Sequence, residues 1–189
     1  MIFYARILRD FALTQRLSLA DNARLLARLH LGIADALVAV FDSKYYYNFW
    51  RPVTAIHAGD TDDNSLTEVD PSWTPLAVTP PHPEYPAAHG VNSGAVAETL
   101  RSFFHTKKIT IQFTSTVPNS GPPRILKRTD EITDQVIQAR IYGGMHYRTS
   151  AEDGVKMGKQ VAGWIARNYF RPLHNDCQRN EGDRDDDDE

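Results

Sequence analysis

Apolar residues recur at intervals of three and four along most of this chain, a spacing that predicts helices rather than strands. Leu25, Leu26, Leu29, Ile33, Ala36, Leu37, Val40 and Phe41 mark one long helix, with Ser18 as its N-cap and Lys44 near its end. A shorter amphipathic helix is expected over about residues 3–15, with further helices over about 87–104, 129–143 and 151–169. Pro52 suits the first turn of a short helix through VTAIHAG. In TSAED, either Thr149 with Glu152 or Ser150 with Asp153 reads as a capping box opening the last helix. Residues 109–114 alternate with period two, but a single extended piece is too isolated to make a sheet. Between about 58 and 85 the chain is rich in turn formers, including Gly59, Asp60, Asp62, Asp63 and Asn64, and in prolines that continue to Pro86. A segment of that length without regular structure is expected to be an ordered loop walling a pocket. The fold class expected is all-α, a helical bundle forming one domain over residues 1–175, with residues 176–189 as a disordered acidic tail.

Composition adds limits. The 189 residues are 41% apolar, enough for one real core. No run of about 18 apolar residues occurs, so no membrane span is expected and the chain reads as soluble. MIFYARILRDFALTQ carries Arg6, Arg9 and Asp10 and no small-residue cleavage site, which favours an amphipathic helix over a signal peptide. The formal charge of −3 owes its sign to RNEGDRDDDDE, without which the rest is about +2. Cys177 is the single cysteine, so an intrachain disulfide and a thiolate metal site are both excluded. The compartment is left undecided. No nucleic-acid partner is expected, and whether the chain forms a homo-oligomer is left open.

The chemistry concentrates in three short stretches. KYYYNFWRP holds Lys44 and Arg51, seven residues apart, so a continuous helix would turn both cations to one face, where they could grip one anion. YPAAHG places His89 near a helix start, where free N–H groups and the helix dipole favour negative charge. In ARIYGGMH, Gly143 and Gly144 are natural helix terminators, so His146 is expected to turn back beside the helix end that carries Arg140. Two cations among Tyr45, Tyr46, Tyr47, Phe49 and Trp50 would be costly without an anion to neutralise them. The aromatic residues themselves read mostly as packing.

These stretches, in this order, resemble the three-part signature KxxxxxxRP, PSGH and SRxxxxxHxxxD shared by the type 2 phosphatidic acid phosphatases and the vanadium-dependent haloperoxidases. The first part is complete from Lys44 through Arg51 and Pro52, the second reads Pro86, Ala87, Ala88, His89, and the third reads Ala139, Arg140 and then His146. The aromatic filling of the first part, the TPPHPEYP lead-in and the RIYGGMH glycines are more similar to the haloperoxidase branch, over roughly residues 20–170. The chain departs from the signature at Ala87 and Ala88, which stand for its serine and glycine, and at Ser150, where it has an aspartate. Asp153 reads as a helix-opening residue rather than a substitute for that acid. Members of the haloperoxidase type are usually longer before the first part, so a fragment or an N-terminally incomplete product is an expectation here.

The resemblance implies a vanadate cofactor held by Lys44, Arg51 and Arg140, with His146 as the ligand to vanadium and His89 assisting proton transfer. Hydrogen peroxide would oxidise halide there. His82, seven residues before His89, stands where bromide-oxidising members typically have histidine, so bromide is favoured; Trp50 and Ser150 join it as residues expected around the site. A second reading is a soluble acid phosphatase acting on small phosphomonoesters, without cofactor, His146 attacking phosphorus and His89 protonating the leaving oxygen. In that reading the missing acid at Ser150 should weaken phosphoryl transfer more than vanadate binding. A third is a degenerate oxyanion-binding protein, prompted by Ala87 and Ser150.

Overall fold

The computed structural model describes residues 2–114 and 121–171, with side chains described from Tyr4 onward. Six helices and one hairpin-like pair of strands occur among these residues: α1 (Ile2–Thr14), α2 (Leu19–Tyr47), α3 (Pro52–His57), α4 (Ala88–Phe104), β1 (Lys108–Phe113), β2 (Arg124–Arg128), α5 (Thr129–Tyr142) and α6 (Arg148–Asn168). The Ser18 hydroxyl accepts from the Asp21 N–H and opens α2 as its spacing predicts. Along α2 the inward stripe runs through Leu25, Leu29, Ile33, Ala36 and Val40, and one turn later it arrives at Lys44. Helical period alone therefore delivers a lysine to a core position, where it is wholly buried.

The larger core joins Ile7, Leu8 and Phe11 of α1 to Leu25, Leu29 and Ile33 of α2, with Val96 and Leu100 of α4 closing it. A second cluster of small residues, Ala36 and Val40 with Val91, Ala95 and Ala162, lets α2, α4 and α6 approach closely. The tightest approach is between α4 and α6. A Cβ on Gly158 would overlap the Val91 carbonyl, and one on Gly94 the carbonyl of Val155, so glycine is required at both for backbone to meet backbone. Because α6 is locked against α4, the start of each helix is fixed beside the other: the Ala87 N–H donates to the Ser150 carbonyl at 3.1 Å.

Three expectations are corrected. The alternating run does find a partner, since β1 pairs antiparallel with β2 and sets Ile111 opposite Leu126. Pairing satisfies the N–H groups on the facing edges of the two strands while Ile109, Ile111 and Leu126 go into the core. Secondly, α2 stops at Tyr47, with Asn48 in the left-handed region (φ 44°), so Lys44 and Arg51 do not share a helix face; Arg51 is instead the N-cap of α3. Thirdly, neither capping box forms. Tyr147 is the N-cap of α6 without a side-chain bond, Ser150 is buried, and Asp153 bonds Tyr85 and Lys156. Residues 58–87 form no helix or strand, as expected, and are pinned by the Glu84 N–H to the Phe49 carbonyl (2.9 Å) and by the Ala77 N–H to Gly143 (3.3 Å). Among the described residues no helix is long and apolar enough to cross a membrane. The acidic tail and Cys177 lie outside the described residues.

Candidate oxyanion site

Lys44 donates from Nζ to the carbonyls of Pro83 (2.9 Å) and Glu84 (2.8 Å), which leaves one ammonium proton for another acceptor. Burial, and then the neighbouring Arg51 charge, push its pKa down to about 8. Arg51 is also buried. Its Nη1 donates to the Met145 carbonyl (2.9 Å) and reaches His146 Nε2 at 3.2 Å, while Nη2 reaches the His82 carbonyl and His82 Nδ1, both at 3.1 Å. The His82 ring also meets Phe41 edge to face.

That arginine settles the state of His146. A guanidinium only donates, so His146 Nε2 must present its lone pair to Arg51, and the ring proton sits on Nδ1. Nδ1 in turn donates to Glu84 Oε1 at 2.7 Å. Burial, partly offset by Glu84, holds the His146 pKa below its ordinary value and keeps the ring neutral near pH 7. The turn that brings His146 here is the one expected: the Gly143 N–H closes on the Ala139 carbonyl, and the Met145 N–H reverses onto that of Arg140 at 3.2 Å. Gly144 (φ 71°) takes the left-handed conformation between them.

Glu84 joins the site although little in the sequence pointed to it. It is fully buried, and the oxygen that holds His146 also accepts the Tyr147 N–H at 3.1 Å. It thus supplies the carboxylate that is absent at Ser150, from a loop rather than from the helix after His146. The only signal was a lone acid between prolines in TPPHPEYP.

Arg140 closes the other side, with Nη1 at 3.3 Å from His89 Nε2. His89 keeps an edge in solvent yet is crowded by protein, and this desolvation, reinforced by Arg140 and then His146, pushes its pKa down to about 4. His146, His82 and Lys44 add smaller contributions to the same shift, which places His89 within electrostatic reach of that group. Of the two further residues expected around the site, Ser150 is buried with no partner for its hydroxyl among the described residues, and both it and Trp50, 42% exposed, line an adjoining pocket that Glu84 also lines.

The sequence profile of the family described as "VCPO second helical-bundle domain" matches residues 24–175. The chain belongs to this family. Over 122 residues it is 29% identical to the vanadium chloroperoxidase of Curvularia inaequalis, a match covering 54% of this chain and 19% of that protein. A crystal structure of the first bacterial vanadium-dependent iodoperoxidase superposes with a TM-score of 0.75 at 29% identity, over 87% of this chain and 38% of that one. A bacterial vanadium-dependent chloroperoxidase in holo form shares the fold, with a TM-score of 0.61 at 20% identity over 75% of this chain and 34% of that one. The chain thus spans about one-fifth of its curated relative's length. What it shares with the family is a mostly helical bundle.

Proposed function

We propose that this bundle binds vanadate between Lys44, Arg51 and Arg140, with His146 as the residue that would attach to vanadium, and oxidises halide with hydrogen peroxide. The observation that carries the reading is the excess of buried positive charge around an imidazole whose tautomer is fixed. Lys44 and Arg51 are buried, Arg140 adds a third cation, and among the described residues Glu84 is the carboxylate that bonds to the group. The donor set fits a tetrahedral oxyanion: Lys44 has a spare proton, and Arg140 Nε is buried with no partner among the described residues.

The residues would divide the work as follows. Lys44, Arg51 and Arg140 neutralise the anion's oxygens, and the arginines do so with planar forks suited to two oxygens at once. Glu84 holds the Nδ1 proton of His146, so that Nε2 faces the anion with a free electron pair once Arg51 turns its N–H to an oxygen. His89 is neutral in the free site and can take a proton from hydrogen peroxide and pass it on. Bound vanadate would supply a Lewis-acid centre that needs no change of redox state. The resemblance at His82, which lies against Arg51 and Phe41, favours bromide as the halide.

Glu84 also favours a second reading. A phosphatase needs His146 as a nucleophile with a carboxylate behind it, and that carboxylate is present, so phosphomonoester hydrolysis through His146, with His89 as the acid, is the alternative. Both are tested by assaying the purified chain with and without orthovanadate for bromide-dependent halogenation and for p-nitrophenyl phosphate hydrolysis. Peroxide-dependent bromination that appears only with orthovanadate is the expected result. Brisk ester hydrolysis, inhibited by orthovanadate and unaccompanied by bromination, would overturn the haloperoxidase reading in favour of the phosphatase.

A further inference from the structure

Behind the His146–Glu84 pair lies a second pocket of about 680 Å³, of the size that holds small organic ligands, and His146, Arg51 and Lys44 are not among its lining residues. Five aromatic side chains and two carboxylates, Glu84 and Asp153, line it, with no basic side chain among them. Edge-to-face contacts, Tyr47 on Tyr85 (5.2 Å) and Phe49 on Tyr147 (5.8 Å), hold the rings without stacking one face on another. Three polar atoms of the lining residues have no hydrogen-bond partner among the described residues: Glu84 Oε2, the Tyr147 hydroxyl and Ser150 Oγ. Glu84 and Ser150 are almost completely buried, and an unmet carboxylate oxygen of this kind is costly unless something donates to it.

We propose that this pocket binds a small organic ammonium ion, held by cation–π contact with Tyr47, Trp50 and Tyr147 and by the negative charge of Glu84 and Asp153. The lining matches that ligand on both counts, since aromatic faces attract a cation and the charged lining residues are both acids, Asp153 being shared with Lys156 outside the lining. A primary ammonium adds N–H donors of the type the unpartnered atoms lack. Asp153, 39% exposed at its side chain, already bonds Tyr85 at 3.2 Å and Lys156 at 2.9 Å, so it stands at the mouth while Glu84 forms the floor.

The test is isothermal titration of the full chain with benzylammonium and with benzyl alcohol, a neutral molecule of nearly the same shape. Benzylammonium should bind about tenfold more tightly than the alcohol. Asp153→Asn and Tyr47→Ala, both at exposed positions, should each weaken it severalfold while leaving circular dichroism and melting temperature unchanged. Equal binding of the alcohol would show an aromatic slot indifferent to charge and would overturn the proposal, as would no binding at 10 mM, about the weakest affinity such contacts give, or full affinity in both variants. The heat reports occupancy directly, so failure here leaves the oxyanion reading standing, and failure of halogenation leaves this pocket standing.

Discussion

The seam between α4 and α6 and the loop at residues 80–86 lie on two sides of the same histidine and are built on opposite principles. The seam is made mainly of small residues packed backbone to backbone, with Glu98 and Arg167 meeting it only at Gly163, away from the helix starts that it fixes. The loop is proline-rich, has no regular structure, and brings the charge partners: the Pro83 and Glu84 carbonyls for Lys44, the His82 carbonyl for Arg51, and the Glu84 carboxylate for His146. One region sets position and the other sets protonation. Damage to the first should therefore appear as lost stability, and damage to the second as lost chemistry in a folded protein.

The sharpest contrast comes from Gly158→Val against Glu84→Gln. Valine at 158 must displace the Val91 carbonyl, and overpacking of that kind should cost about 3 kcal/mol or more, lowering the melting temperature by roughly 10 °C. A variant that melts like the parent would show that the seam can open. Next in size is His146→Ala, which removes the group proposed to attach to the anion's centre. Turnover should vanish under either chemistry, with the far-ultraviolet spectrum unchanged, and near-normal activity would refute the assignment.

Glu84→Gln keeps an acceptor for the Nδ1 proton and loses the charge. Activity should fall about 10- to 100-fold with the pH profile displaced, and sulfate affinity should change much less. A proportional fall in both would mean that the loop has merely come loose. In the same background as wild type, Ser150→Asp should bring no gain, since Glu84 already occupies the position behind the ring. The smallest effect is a titration. Lys44, with its pKa depressed to about 8, is charged below that value and neutral above it, so sulfate, whose own charge is constant, should bind more weakly as pH rises past about 8. Because the bound anion favours the ammonium, the midpoint in the complex should lie higher than in the free protein. A Lys44→Met variant should lose that dependence, and it should also melt lower, because the Pro83 and Glu84 carbonyls lose their donor.

Much of this was legible in the sequence, for reasons that differ by residue. Lys44 was readable because helical period fixes which positions face inward, and His146 because two glycines end a helix whatever follows. The resemblance supplied the grouping that periodicity alone could not. Arg51 arrived at its site by a different path than the spacing suggested, since Asn48 breaks the helix at a point that no apolar rhythm marks. The β1–β2 pairing went unread because strand partnership is non-local and RILKR alone carries no alternating signal. Glu84 was missed for the deepest reason. Its partner lies 62 residues away, and the fold of a proline-rich loop is set by contacts that leave no period in the chain.

The 3.2 Å contact between Arg51 and His146 Nε2 has a consequence for which visitors the resting site admits. An accessible neutral imidazole is ordinarily an invitation to zinc, copper or nickel, yet here its electron pair faces a permanent positive charge, with a second at Lys44. A divalent cation approaching that nitrogen would be repelled before it could displace the guanidinium, whereas an oxyanion draws the guanidinium to itself and exposes the nitrogen as it arrives. Among the described residues no group of three or more histidine, cysteine or carboxylate side chains is disposed to hold a metal cation. The arginine thus acts as a sentry whose password is negative charge.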